Sequence, residues 1–81
     1  MAEKSQGKAP IDQFVIEKVK LMRHARNMSQ AVLATQLNVA YSFIEAIENP
    51  KQRAKYNLTH INKLAGIFEC SPRDFLPEKP L

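Results

Sequence analysis

The length, composition and charge of the chain exclude several classes of protein. Its 81 residues suit one domain with a single hydrophobic core. One cysteine excludes an internal disulfide, and no Cys/His cluster has metal-ligand spacing, so we expect no metal and no cofactor. Because the chain shows no signal-peptide pattern and no apolar run of roughly 20 residues, we expect a cytoplasmic protein. The net charge of +4 favours a polyanionic partner.

The chain begins with a polar arm and a first helix. Residues 1–10 contain two lysines, a glycine and a proline but no periodic apolar residues, which predicts a flexible N-terminal arm. Apolar residues then recur at helical spacing and predict a helix with one buried face. That face consists of Ile11, Val15, Val19 and Met22. Asn27 is a residue that can adopt a left-handed conformation and end the helix.

A second, short helix is predicted after Ser29. The Ser29 hydroxyl is a good acceptor for the free amides of a first helical turn. Asn38 can adopt the positive φ that a sharp reversal needs. The inner face of the helix is formed by Leu33, Ala34 and Leu37.

A third helix is predicted over about 41–48. Ile44 and Ile47 have helical spacing, and Pro50 prevents the helix from continuing much further. Residues 49–55 contain no acidic residue and predict a basic loop. Its cations are Lys51, Arg53 and Lys55.

A fourth helix and a closing turn complete the chain. Asn57 can cap the fourth helix. Its predicted inward residues are Leu58, Ile61, Leu64, Ala65 and Phe68. Ser71, with a proline after it and Asp74 at the capping-box position, predicts one further helical turn. We expect this turn to bury Phe75 and Leu76, with residues 78–81 as a tail. The sequence therefore predicts an all-α domain over residues 11–77.

The segment from Ser29 to Glu48 has a shape that suits a groove. When two short helices are joined by a tight turn, the second helix can enter a groove of a partner. The segment resembles the helix-turn-helix of the phage-repressor-like family, also called the xenobiotic-response-element class. The resemblance covers roughly residues 15–77. The residues that carry it are Arg23, Ser29, Gln30, Leu33, Ala34, Leu37, Asn38, Val39, Ile44, Ile47 and Glu48, followed by the pattern of the two closing helices.

The resemblance implies a fold and a set of roles. Similar domains are compact five-helix bundles like the lambda-repressor DNA-binding domain, with the helix-turn-helix in helices two and three. They bind double-stranded DNA as symmetric dimers on half-sites about one helical turn apart. The residue that matches Gln30 contacts a phosphate and the start of the reading helix, and Arg23 and Glu48 match a buried structural ion pair. The positions that face base edges are Tyr41, Ser42, Glu45 and Ala46.

The sequence departs from the family at the reading helix. Ala40 stands where a serine or threonine cap is usual, and the loss of that acceptor costs roughly 1 kcal/mol. Pro50 stands where the family has a glycine. Ahead of Asn49, the exposed face of helix three has none of the Arg, Lys, Gln or Asn residues that make bidentate contacts to guanine and adenine. We therefore expect sparse direct base readout.

The contact candidates on helix three have alternative interpretations. The Tyr41 hydroxyl can bond a phosphate or a base, and Phe43 can touch thymine methyl groups or a partner protein. Either ring can instead fold back onto the domain. Glu45 can accept from the amino group of cytosine or can repel DNA.

The phosphate candidates and the remaining polar residues also have alternatives. Gln30, Asn49, Lys51, Arg53 and Lys55 are predicted to contact DNA phosphates, the alternative being a solvated surface. Lys4 and Lys8 can reach around a duplex, although charge on a terminal arm is usually incidental. We expect His24 and His60 to be surface imidazoles and Cys70 to be a buried, inert thiol.

Two classes of function fit this pattern. The first is a DNA-binding transcriptional regulator, a repressor, without enzymatic activity, since no catalytic constellation or phosphate loop is present. The alternative is a protein-interaction module on the same scaffold, such as an antitoxin or adaptor, because exposed aromatic residues with few cations are enriched at protein interfaces.

Overall fold

The computed structural model describes residues 7–81, and every regular element in that range is helical. The elements in chain order are α1 (Pro10–Ala25), α2 (Gln30–Leu37), α3 (Tyr41–Glu48), α4 (Leu58–Phe68) and a 3-10 helix (Pro72–Phe75). The all-α prediction is confirmed over these residues, but the prediction of five helices is corrected to four α-helices and one 3-10 turn. The segment has only four residues, the first of which is Pro72, and it is followed by the extended Leu76, so it is too short for an α-helix to propagate.

Local capping chemistry sets most of the helix ends. Asn27 and Asn38 have the predicted left-handed conformation, with φ of 53° and 61°. The Ser29 hydroxyl accepts a hydrogen bond from the Val32 amide at 3.1 Å. Ser71 and Asp74 form the predicted capping box on the 3-10 helix. These ends were predicted correctly because each depends on residues that are close in sequence.

The core lies where the helices meet. Its fully buried centre consists of Ile16, Val19, Leu33, Leu37, Ile44, Ile47, Leu64 and Phe75. Three predicted core residues are in fact exposed, namely Ile11 at 44%, Leu58 at 82% and Leu76 at 43%. Each lies in the first turn of a helix or just beyond its end, where a helical face has not yet reached the neighbouring helices or has already left them.

The start of α4 is held by a histidine. The Asn57 side chain accepts from the His60 amide at 2.8 Å, and His60 Nδ1 accepts from the Asn57 amide at 3.0 Å. The imidazole is partly buried and its centroid lies 5.4 Å from that of Phe43 on α3. His60 is thus a partly exposed imidazole with a capping role that the sequence did not predict, since histidine takes the place that Glu or Gln has in most capping boxes.

An arginine holds the other end of α4. The Arg26 guanidinium donates to the carbonyls of Ile67 at 3.2 Å and Phe68 at 2.9 Å. It also lies over the Phe68 ring, 5.3 Å from the centroid. Cys70 follows and is half-buried against the core, and burial raises the pKa of its thiol. In the range 7–81, no helix is long and apolar enough to cross a membrane.

Candidate nucleic-acid interface

The turn between α2 and α3 is closed by backbone hydrogen bonds. The Asn38 amide donates to the Thr35 carbonyl at 3.2 Å, and the Val39 amide donates to the Ala34 carbonyl at 3.0 Å. Only three residues separate the two helices. Because Asn38 is left-handed, the chain reverses at once, and α3 begins across the end of α2. This is the geometry of a helix-turn-helix.

The α3 helix separates its residues between two faces. Ile44 and Ile47 are fully buried and hold the helix on the core. Of the four base-contact candidates, Tyr41, Ser42 and Glu45 are exposed, whereas Ala46 is partly buried. The structure thus brings three of these positions together on one accessible surface, and the fourth lies at its edge.

A buried network fixes the C-terminal end of α3 to α1. Arg23 Nη2 donates to Glu48 Oε1 at 2.8 Å, and Arg23 Nε donates to Glu48 Oε2 at 3.1 Å. The two side chains are only 7% and 4% exposed. Arg23 Nη1 also donates to the Met28 carbonyl at 2.8 Å, so the guanidinium ties α1, the α1–α2 turn and α3 together.

Gln30, the phosphate candidate of α2, belongs to the same network. Its Nε2 donates to Glu48 Oε1 at 2.8 Å, and the side chain is partly buried. The family resemblance implies a contact with the start of the reading helix, but the contact here is with its last residue. A carboxylate at this position is a stronger acceptor for the amide than any group at the start of α3, where Ala40 has no polar side chain.

Tyr56 is a buried residue of this region that sequence reasoning missed. It is 6% exposed, and its hydroxyl has no hydrogen-bond partner among the described residues. Burial raises the pKa of this phenol, and the negative charge of Glu48 raises it further, while Arg23 opposes the effect. The phenol therefore stays neutral near the charges of Glu48 and Arg23.

The basic loop after α3 carries three exposed cations, one of which lies near an acidic residue of α1. Lys51 and Arg53 are exposed. Lys55 is also exposed, and its Nζ lies 3.4 Å from Asp12 Oδ2 on α1. An exposed pair at this distance holds the lysine only weakly, so Lys55 can exchange its partner. The side chain of Asn49 accepts from the Lys51 amide at 3.0 Å and shapes the start of the loop.

The Lys8 side chain bridges two backbone carbonyls of this loop. Its Nζ donates to the Asn49 carbonyl at 2.6 Å and to the Gln52 carbonyl at 2.5 Å. Desolvation lowers the pKa of the Lys8 ammonium, an effect that Asp12 partly offsets. The sequence left two interpretations of Lys8 open, an arm that reaches around DNA or an incidental charge, whereas in the structure the side chain folds onto the protein. Lys4, the other arm residue, lies outside the described residues.

Lys20 is a further cation beside α3 that composition and periodicity did not single out. It lines a polar hollow of about 360 Å³ with Glu45, Asn49 and the Arg23 network. On α3 itself, the Glu45 carboxylate raises the pKa of the exposed Tyr41 phenol, first by accepting its hydrogen bond and then by its charge. Phe43 is half-buried against the core, which matches the alternative that its ring folds back.

These features define a helix-turn-helix domain with a polar, exposed face on α3 and a basic loop after it. Residues 18–77 match the family described as the Cro/C1-type HTH DNA-binding domain, and the chain belongs to this family. It is therefore a DNA-binding domain of the class found in transcription regulators. A search of curated protein sequences found no match.

Solved structures agree with this fold. The restriction-modification controller protein C.AhdI from Aeromonas hydrophila is 27% identical, covers 78% of this chain and 92% of its own, and has a TM-score of 0.66. The N-terminal DNA-binding domain of SinR from Bacillus subtilis is 24% identical, with 84% and 97% covered and a TM-score of 0.67. The hypothetical transcription factor NHTF from Neisseria is 20% identical, with 94% and 87% covered and a TM-score of 0.67.

Proposed function

We propose that this chain is a cytoplasmic transcriptional repressor that binds double-stranded DNA with α3 in the major groove. The observation that carries the proposal is the position of the basic loop. Lys51 and Arg53 are exposed directly after the reading helix, where the sugar-phosphate backbone borders the groove. Repression follows from occupation of the operator, which blocks access of the polymerase.

Phosphate contacts supply most of the affinity in this proposal. Lys51, Arg53 and Lys55 contact phosphates on one side of α3, and Gln30 and Asn49 contact them from its flanks. Lys55 exchanges Asp12 for a phosphate on binding. Gln30 keeps its bond to Glu48 with one amide hydrogen and has a second hydrogen for a phosphate oxygen. Lys20 extends the positive surface beside Glu45 and Asn49.

Base reading comes from fewer groups. Tyr41, Ser42 and Glu45 reach base edges, and Ala46 allows close approach of the helix to a thymine methyl. Glu45 accepts from a cytosine amino group. Because no bidentate Arg or Gln is present, we propose modest sequence discrimination that is completed by a second copy on an adjacent half-site.

Binding to DNA is tested with the purified chain by fluorescence anisotropy on genomic fragments selected by the protein itself. We expect log K to fall with log salt concentration at a slope of about −0.9 per neutralised phosphate. Replacing Lys51, Arg53 and Lys55 with alanine together is expected to weaken binding at least about 100-fold and to reduce the slope by about 2.7.

The matched control removes the same charges from another surface. Lys63, Arg73 and Lys79 are exposed and outside the proposed interface, so their triple alanine variant loses two lysines and one arginine as well. We expect it to bind within about threefold of the unmodified chain at moderate salt, because remote charges are screened. Equal losses in the two triple variants, or a flat salt titration, contradict the proposal.

Reading of bases is tested separately from phosphate contact. Glu45→Gln and Tyr41→Phe are expected to change which fragments are selected, whereas the loop variants weaken binding to all fragments alike. An unchanged selection in both α3 variants removes the proposed base contacts and leaves the DNA-binding proposal in place.

A protein-interaction module is the second candidate. It is favoured by the α3 surface, on which Tyr41 is 49% exposed and no side chain is a cation. One structural neighbour, 23% identical, is a complex of SinR with SinI. In this alternative the triple loop variant keeps whatever nucleic-acid retention the chain has, whereas Tyr41→Ala abolishes capture of the protein partner.

A further inference from the structure

The outer face of α1 carries apolar residues on the side of the helix that points away from the core. Phe14 is 38% exposed and Leu21 is 67% exposed. They stand seven residues apart, about two helical turns, and therefore share one stripe. Val15 and Val19 on the opposite side are buried. A surface helix normally has polar residues on the side away from the core, so this stripe is not explained by the fold.

The stripe lines an open groove of about 530 Å³. The residues around it are Pro10, Gln13, Phe14, Glu17, Lys18, Leu21 and Leu81. None of them is a candidate DNA contact. Exposed contiguous apolar surface bordered by polar residues marks contact sites. The groove is therefore a candidate docking surface that is separate from the DNA interface.

The order of residues along the stripe favours a second copy of this chain as the occupant of the groove. When two copies of α1 lie antiparallel, with a two-fold axis between residues 17 and 18, Phe14 of each copy faces Leu21 of the other. The same axis places Glu17 opposite Lys18 and Pro10 opposite Ala25. Apolar residues thus meet apolar residues, and an acid meets a base on both sides of the axis, as a two-fold interface requires.

The order of charges along α1 favours this antiparallel arrangement over a parallel one. Gln13 Nε2 donates to Glu17 Oε2 at 2.8 Å, which holds the carboxylate along the helix surface. A parallel pairing in register would instead place Glu17 against Glu17, and like charges at close range are unfavourable. A strongly charged partner is not favoured either, since the groove carries one acidic and one basic side chain.

We propose that the outer face of α1 is a self-association surface on which a second copy of this chain packs its own α1 antiparallel. The contact spans the 16 residues of α1. A helix of this length is about 24 Å long and buries less than the about 800 Å² per partner of a standard stable interface. The dimer is therefore weak and depends on concentration. Its formation does not require DNA.

The test is sedimentation equilibrium of the purified chain without DNA, over a range of concentrations. We expect a reversible monomer–dimer equilibrium. Phe14→Glu is expected to weaken dimerisation by about 30-fold or more, because it removes an aromatic contact twice and adds a charge. Leu58→Glu is the matched control, since Leu58 is 82% exposed and lies outside the groove.

Charge reversal tests the antiparallel register. Glu17→Lys and Lys18→Glu each create two like-charge contacts across the axis and are expected to weaken the dimer about tenfold. The double variant restores both pairs with reversed polarity and is expected to return to within about threefold of the unmodified chain. Circular dichroism melts establish that each variant is folded, and binding to a DNA fragment with one half-site remains unchanged.

The outcomes separate this proposal from that of DNA binding. A monomer at every concentration overturns the self-association surface, and so does a dimer that Leu58→Glu weakens as much as Phe14→Glu. A double variant that remains as weak as the single variants overturns the antiparallel register. None of these results bears on the salt dependence of DNA binding, which tests the proposed function by itself.

Discussion

The two helices of the helix-turn-helix have the same length but are held by different means. Both contain eight residues. The α2 helix begins with the Ser29 cap and ends at the left-handed Asn38. The α3 helix begins after Ala40, which offers no side-chain acceptor, and ends at Asn49 in an extended conformation. Local sequence therefore specifies the ends of α2 much more strongly than those of α3.

Tertiary contacts hold α3 instead. Ile44 and Ile47 are fully buried, Glu48 is fixed by Arg23, and Phe43 packs beside His60. All of these anchors lie on the inner side or at the C-terminal end of the helix. We therefore expect that residues on the exposed face of α3 can be substituted without loss of the fold. This comparison explains how α3 can lack common base readers and still be held in a fixed position on the core.

Among substitutions that test how α3 is held, Arg23→Ala is expected to lower stability most. The change strands the Glu48 carboxylate in a site where it is 4% exposed and removes the tether between α1 and α3. We expect a loss of roughly 3–5 kcal/mol in the free energy of unfolding, measured by urea denaturation. Arg73→Ala, on an exposed arginine, is the control. A loss below about 1 kcal/mol would show that hydrophobic packing alone positions α3.

Substitutions at the N-caps of α2 and α3 test whether the two helices depend on local capping to different degrees. Ala40→Ser supplies the acceptor that α3 lacks, since Ala40 already has the extended backbone of an N-cap, with φ −68° and ψ 144°. We expect a gain of about 0.5–1 kcal/mol in the free energy of unfolding, and Ser29→Ala is expected to lose about 1 kcal/mol from α2. Both are measured by urea denaturation. No gain from Ala40→Ser would show that the start of α3 is constrained by its tertiary contacts.

The smallest expected effect is a dependence of stability on pH that arises from His60, which packs beside Phe43 of α3. Burial, and secondly the charge of Lys63, lower the pKa of His60, and its Nδ1 accepts a hydrogen bond that needs the neutral ring. Below the ordinary histidine pKa of about 6.5, the unfolded chain therefore binds more protons than the folded one. This contribution to stability is complete above that pH and is lost as the pH falls through the lower pKa of the folded state.

We expect Tm to be about 2–4 °C lower at pH 5 than at pH 7.5 as a result of this group. The measurement is a pair of thermal melts for the unmodified chain and for His60→Gln, which cannot titrate. The difference between the two chains isolates His60 from the carboxylates and from His24. An identical pH dependence in the two chains would assign the effect to those other groups.

The features that the sequence predicted correctly have local causes, whereas those that it did not predict depend on contacts between distant segments. The caps at Ser29 and Asn57 and the turn at Asn38 depend on neighbours within a few residues, and the structure has them as predicted. The exposure of Leu58 was missed, because periodicity does not show where a helical face leaves the core. The contacts of Lys8 with residues 49 and 52 join segments about 40 residues apart, so no local pattern contains them.

The same division applies to the candidate interface. The order of Ser29, Asn38 and the buried isoleucines of α3 determined that a helix-turn-helix forms and that a basic loop follows it, because capping, turn and amphipathic preferences act over short distances. Three features depend instead on tertiary packing. Gln30 bonds to Glu48, and Lys20 lies beside α3. Phe14 and Leu21 remain exposed. Those outcomes depend on how whole helices pack, which the sequence specifies only through all of its side chains at once.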